Sequence, residues 1–73
     1  MATFSERMKE QRRKHGLTQA EVGEIIGTRQ DSISTYERGL NYPEVRNLII
    51  LADYFGVSTD YLLGRTDNPE INR

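Results

Sequence analysis

The chain has 73 residues, a formal net charge of −1 and no cysteine. This length allows one domain, which buries only about 60% of the surface of its unfolded chain. The absence of cysteine excludes a disulfide framework and a thiolate metal site. No apolar run approaches the roughly 18 residues of a membrane-spanning helix. The N-terminal residues do not resemble a signal peptide, so a cytoplasmic protein is expected.

Taken alone, the net charge argues against nucleic-acid binding, because DNA-binding domains usually carry an excess of lysine and arginine. The basic residues are nevertheless concentrated before Gly39, and acidic residues outnumber them after it. The field of one face governs the approach to phosphates more than the total charge does. The first half therefore remains a candidate DNA-binding face.

The first predicted helix runs from Phe4 to His15. Thr3 and Glu6 have the spacing of a capping box, in which a hydroxyl and a carboxylate each accept from the other residue's backbone amide. Gly16 ends this helix, since glycine tolerates the left-handed conformation that follows a helix C-terminus.

Two short helices follow, joined by a turn at Gly27. Thr18 and Glu21 form a second capping box, and the next helix covers about 29–38 and ends at Gly39. Helices shorter than about 12–15 residues are marginal alone, so these two must pack as a pair. Such a pair, with one face of its second helix exposed, is typical of the helix-turn-helix motif.

A fourth helix is predicted from Pro43 or Glu44 to Phe55, and a fifth begins at Ser58. The expected fold is all-α, a compact five-helix domain over 1–64, with a polar and frayed tail over 65–73. The predicted core consists of Phe4, Met8, Leu17, Val22, Ile26, Ile33, Tyr36, Val45, Leu48, Leu51, Ala52, Phe55, Val57 and Leu62.

The paired helices resemble those of the lambda repressor/Cro-like (XRE-type) helix-turn-helix transcriptional regulators. The resemblance covers roughly residues 4–64. It is carried by Leu17-Thr18-Gln19, Gly23, Gly27, Ile33, Tyr36-Glu37-Arg38-Gly39, Pro43, Leu48, Leu51-Ala52-Asp53, Phe55-Gly56-Val57-Ser58 and Asp60-Tyr61-Leu62-Leu63-Gly64. It implies a DNA-binding domain whose helix over about 29–38 enters the major groove of a palindromic operator.

The predicted base-reading residues lie on the outward face of that helix, opposite Ile33. They are Gln30, Asp31, Ser34 and Thr35. A glutamine amide donates and accepts at once, which matches the major-groove edge of adenine. Asp31 keeps two interpretations, because its carboxylate can accept from cytosine or can complement the dipole at the start of its own helix.

Phosphate contacts are expected from Thr18 and Gln19, because a helix N-terminus favours anions. The resemblance implies a second set of phosphate contacts from Arg38 and Asn41, with Tyr42 as a hydroxyl donor. Arg29 and Arg13 are additional candidates. It also implies that Arg12 pairs with Glu37 and sets the angle of the recognition helix. For each surface candidate, an ordinary solvated side chain is the alternative.

Three residues depart from the family pattern. Gln11 stands where an apolar residue is usual, which thins the core under the first helix. Gly23 replaces a common alanine, at a helix-propensity cost of about 1 kcal/mol. Arg29 occupies the usual N-cap site of the recognition helix, so Thr28 is an alternative cap.

The expected partner is double-stranded DNA, bound by a homodimer that meets through Ile50, Tyr61 and Leu63, with no cofactor, metal or small-molecule ligand. A monomer with a partly apolar surface is the alternative. The alternative function is an antitoxin-type interaction module whose DNA binding is autoregulatory. The only histidine, His15, follows a helix end without a paired nucleophile, so an enzyme is not expected. Whether the chain is complete or part of a longer regulator stays open.

Overall fold

The computed structural model describes residues 2–71. These residues form five α-helices and no strand, which confirms the all-α prediction. None of the helices has the length and the apolar character needed to cross a membrane. The helices are α1 (Phe4–Lys14), α2 (Gln19–Ile25), α3 (Gln30–Glu37), α4 (Val45–Phe55) and α5 (Thr59–Leu62).

The predicted starts of α1, α2 and α5 are confirmed by their caps. The Glu6 amide donates to the Thr3 hydroxyl at 3.3 Å, and the Thr3 amide donates to the Glu6 carboxylate at 2.9 Å. The same reciprocal bonds join Thr18 and Glu21 at 3.1 and 2.9 Å. Before α5, the Ser58 hydroxyl accepts from the amide of Tyr61 at 2.9 Å.

The start of α3 differs from the expectation for Thr28. Arg29 has the extended backbone of an N-cap residue and provides no side-chain cap. The Thr28 hydroxyl instead donates to the hydroxyl of Ser32 at 2.9 Å. The prediction that Thr28 caps α3 is therefore wrong, because its side chain bonds to another side chain rather than to a free helix amide.

The core is built from all five helices and closes around Met8, Ile33 and Leu51, each 0% exposed. Ten of the predicted core residues are buried, and Leu17, Tyr36 and Leu48 pack against them while only partly buried. Val45 is 73% exposed, so its assignment to the core is wrong. It is the first residue of α4 and precedes the turn at which this helix begins to pack on the core.

The contact between α2 and α3 requires a glycine at position 23. A Cβ atom there would lie 2.8 Å from the carbonyl oxygen of Thr28 and 3.2 Å from the carbonyl carbon of Arg29. The Thr28 amide also donates to the Gly23 carbonyl at 2.8 Å. The close approach of two backbone segments therefore opposes the helix-propensity gain that alanine would bring.

The tail differs from the frayed segment that its composition predicts. The Arg7 guanidinium donates to the Tyr61 carbonyl at 2.9 Å and pairs with the Asp67 carboxylate at 2.8 Å. Beyond Asp67, the Pro69 carbonyl accepts from the Ser58 amide at 2.9 Å. Arg7 is only 6% exposed, and it ties the described part of the tail to the domain.

Candidate nucleic-acid interface

The packing of Ile33 fixes which side of α3 faces outward. Ile33 is 0% exposed, so the residues on the opposite side of the helix are accessible. Gln30 and Asp31 are exposed, and Ser34 and Thr35 are half-buried. The four predicted base-reading residues therefore form one continuous surface, with its most exposed part at the N-terminus of α3.

Two glutamines connect the exposed surface of α3 to α2. The Gln30 amide nitrogen donates to the Gln19 amide oxygen at 3.3 Å. The Gln19 amide nitrogen in turn donates to the Glu37 carboxylate at 3.3 Å. These two hydrogen bonds limit the rotamers of both glutamines and connect a predicted base reader to a predicted phosphate contact.

The chain of polar contacts ends in the ion pair between Arg12 and Glu37. The guanidinium donates to both carboxylate oxygens, at 2.6 and 3.0 Å, and also to the Leu17 carbonyl at 3.0 Å. The Glu37 side chain is 2% exposed and that of Arg12 is 15% exposed. The bond to Glu37 raises the pKa of Arg12. This bidentate pair links α1 to α3 and so constrains the recognition helix.

A cleft lies between the start of α2 and the start of α3. The Thr18 hydroxyl accepts from the Glu21 amide at 3.1 Å, and Thr18 is exposed at the N-terminus of α2. A hydroxyl can donate while it accepts, so this group can still reach a phosphate oxygen. The cleft is lined by Arg12, Gly16, Leu17, Thr18, Gln19, Ala20 and Gln30.

The segment after α3 carries three further predicted phosphate-binding residues. Arg38 and Asn41 are exposed, and the side-chain Oδ1 of Asn41 accepts from the backbone amide of Tyr42 at 2.8 Å. That bond leaves the amide nitrogen of Asn41 available as a donor. The Tyr42 ring packs against Phe4 with centroids 5.2 Å apart, although Tyr42 remains 65% exposed.

Two of the remaining candidates differ in how free their polar groups are. The Thr35 hydroxyl donates to the Asp31 carbonyl at 2.8 Å, a bond within α3 that leaves the methyl group of Thr35 for contacts. The Asp31 carboxylate is exposed in the first turn of α3. Arg13 and Arg29 are exposed and have no ion-pair partner among the residues described.

The predicted dimer residues have unequal environments. Ile50 is 37% exposed, whereas Tyr61 and Leu63 are partly buried and pack against the core. The Tyr61 hydroxyl donates to Glu10 at 3.0 Å, and the Arg7 guanidinium carbon lies 3.7 Å from the centroid of its ring. Burial and the bond to Glu10 raise the pKa of Tyr61. Tyr61 is thus largely engaged within its own chain.

Residues 8–62, which include most of α1 and all of α2 to α5, match the helix-turn-helix family. The chain belongs to the helix-turn-helix family. The family comprises transcriptional regulators rather than enzymes, in agreement with the non-enzymatic function expected from the sequence. The resemblance to repressor-type regulators is likewise confirmed.

Two relatives and one solved structure illustrate the similarity of this helix-turn-helix chain to known proteins. It is 37% identical over 67 residues to the uncharacterized HTH-type transcriptional regulator YobD of Bacillus subtilis. It is 38% identical over 65 residues to the HTH-type transcriptional regulator ImmR of the same organism. These matches cover 92% and 89% of the chain but only 60% and 51% of the relatives.

The fold is similar to that of the P22 c2 repressor in a crystal structure with a synthetic operator. The TM-score is 0.83 at 32% identity, and the match covers 90% of this chain and 100% of the repressor chain. The five-helix fold predicted from the sequence is therefore that of repressor-like DNA-binding domains.

Proposed function

We propose that this chain is the sequence-specific, double-stranded DNA-binding unit of a small transcriptional regulator, and specifically of a repressor. The observation that carries the proposal is a series of hydrogen bonds that begins at Gln30, at the exposed N-terminus of α3. It continues through Gln19 to the ion pair of Glu37 and Arg12. It presents a bidentate hydrogen-bonding group on the helix that, in this family fold, is free to enter a major groove. A role on DNA also supports the expected cytoplasmic location.

In this proposal the exposed side chains of α3 read the bases. Gln30 donates and accepts at adenine, and the Thr35 methyl group contacts a thymine methyl. Ser34 can donate or accept at a neighbouring base. Asp31 either accepts from cytosine or steadies the first turn of α3, and a selected operator distinguishes these roles.

Phosphate groups are bound on both sides of the reading surface. Thr18 and Gln19 provide the contacts at the start of α2, and Arg38, Asn41 and Tyr42 provide those after α3. Arg29 and Arg13 extend the positive surface next to these contacts. Because the net charge is −1, affinity for random DNA depends on this local surface rather than on the whole molecule.

The proposed active form is a homodimer on a palindromic operator with half-sites about one helical turn apart. Ile50 is the most accessible of the three residues expected at its interface, since Tyr61 and Leu63 are partly buried in their own chain. Selection of bound DNA from a random pool tests the proposal. A palindromic consensus supports it, and the absence of any enriched sequence contradicts it.

Base reading and phosphate binding are separated by two alanine variants assayed on the selected operator and on random DNA. Gln30→Ala should weaken operator binding by about 1–3 kcal/mol and leave random DNA nearly unaffected. Arg38→Ala should weaken binding to both and lower the slope of log affinity against log salt by about one unit. Equal losses on both DNAs for Gln30→Ala would remove it from base reading, and an unchanged salt slope would remove Arg38 from phosphate binding.

A further inference from the structure

The outward face of α4 carries an apolar surface that no described residue covers. Ile49 is 47% exposed and Ile50 is 37% exposed, next to each other at the middle of the helix. Val45, at the first position, is 73% exposed, and Tyr54, near the last, is 49% exposed. Helices of a single folded domain usually turn such residues inward.

Two opposite charges flank the isoleucine pair on the same face. Arg46 and Asp53 are both exposed, and neither forms an ion pair with any residue in 2–71. They are two helical turns apart, about 10 Å along the axis, so they cannot pair with each other. An ion-pair partner for either residue would therefore have to come from another molecule.

The face is self-complementary about the point between Ile49 and Ile50. Arg46 and Asp53 lie equally far from this point along the helix, on opposite sides of it, and only about 20° apart around the helix axis. An antiparallel second copy of α4 would set Arg46 against the partner's Asp53 at both ends of the contact. A parallel copy would instead set like charges against each other.

We infer that α4 is a self-association surface, on which a second copy of this chain packs antiparallel around a two-fold axis between Ile49 and Ile50. A two-fold contact requires one surface to be complementary to itself, which this arrangement of charges and apolar residues satisfies. The inference deepens the proposed homodimer by assigning its contact to α4 instead of to Tyr61 and Leu63.

The contact is small, because the 11 residues of α4 extend only about 16 Å. Self-association by this surface alone should therefore be weak, and the operator would add stability by holding two copies close together. Sedimentation of the DNA-free protein up to about 1 mM covers the range of such weak dimers.

Charge reversal at Arg46 and Asp53 provides the test, with circular dichroism to verify folding. Arg46→Glu and Asp53→Arg should each weaken self-association about tenfold, because each replaces two attractions by two repulsions. An equimolar mixture of these two variants should associate as the unmodified chain does, because both contacts in the mixed dimer are again between opposite charges. Merely structural damage to either variant would not be repaired by mixing.

Leu63→Glu serves as the control at the other expected surface, and DNA binding is measured separately for every variant. The inference is overturned if the mixture fails to recover association, or if the unmodified chain sediments as a monomer throughout. It is also overturned if Leu63→Glu abolishes association while both charge reversals leave it unchanged. Operator binding by a chain that fails this test would preserve the proposed DNA-binding function and reject only the α4 contact.

Discussion

Gln11 is an amide in the apolar interior beneath α1. Gln11 is 3% exposed, and its side-chain amide oxygen has no hydrogen-bond partner within residues 2–71. A buried polar atom without a partner costs about 1–3 kcal/mol. The backbone carbonyl of Gln11, by contrast, accepts from the His15 amide at 3.1 Å and lies 2.9 Å from the His15 ring nitrogen.

Gln11→Leu should therefore stabilise the domain. Leucine has a similar volume and removes the unpaired oxygen while keeping the backbone bonds, so the free energy of unfolding should rise by about 1 kcal/mol. Urea denaturation measures the change. Lys14→Leu, at an exposed position of the same helix, is the control and should bring no gain. A loss of stability in Gln11→Leu would indicate that the amide has a partner in solution.

The helix starts illustrate local structure that responds to pH. The Glu21 carboxylate accepts from the Thr18 amide, and this bond lowers the pKa of Glu21 from its ordinary value of 4.5. The same arrangement with Thr3 lowers the pKa of Glu6. Because the folded-state pKa values are depressed, the contribution of both boxes to stability is present above pH 4.5 and is lost as the pH falls through the folded-state pKa.

Glu21→Gln should make the domain less sensitive to acid. Between about pH 6 and about pH 3, the unmodified chain should lose more thermal stability than the variant. Protonation of the Glu21 carboxylate weakens the capping bond in the unmodified chain, whereas the glutamine of the variant does not titrate. Glu24→Gln, on an exposed residue of the same helix outside the capping box, is the control. Identical acid sensitivity in the unmodified chain and Glu21→Gln would contradict a contribution from this box.

The relation between α1 and α3 depends on one buried ion pair. Arg12→Met should lower the free energy of unfolding by about 3 kcal/mol, since it leaves the Glu37 carboxylate buried without its partner. Arg12→Met/Glu37→Met should recover part of that loss, because no isolated charge remains. A double-mutant cycle by urea denaturation measures the coupling, and strictly additive effects would contradict it.

At the scale of the whole molecule, Arg7 holds α1 against α5 and the segment that follows it. Its guanidinium donates to the carbonyls of Tyr61 and Thr66 and pairs with Asp67. The Asp67 side chain is 74% exposed, so the ion pair alone contributes little, and the bonds from the buried arginine to backbone carbonyls contribute more.

Arg7→Met should therefore destabilise the domain by about 2 kcal/mol, and Asp67→Asn by less than about 1 kcal/mol. Loss of the tail contact should also speed hydrogen exchange at the Ser58 amide, which donates to the Pro69 carbonyl. Nuclear magnetic resonance measures that exchange residue by residue. Equal protection of Ser58 in Arg7→Met and the unmodified chain would show that Arg7 does not hold the tail.

Local sequence was sufficient for the starts of α1, α2 and α5, the turn between α2 and α3, and the outward face of α3. Capping residues, glycines and apolar periodicity act between residues only a few positions apart, so their effects can be predicted from the sequence alone. The contacts of Gln19, Gln30 and Glu37 required the packed structure, because they join side chains 11 and 18 positions apart on different helices.

The sequence by itself determined that this chain is a five-helix domain of repressor type, and it predicted the base-reading residues that we propose on α3. Only the tertiary structure decided that Arg7 is buried, that Val45 is exposed and that the tail is docked. Arg7 and Asp67 are 60 positions apart, and nothing in the local composition of either segment indicates the other. Burial of a polar side chain depends on what the rest of the fold brings against it, and that is a property of the packed molecule alone.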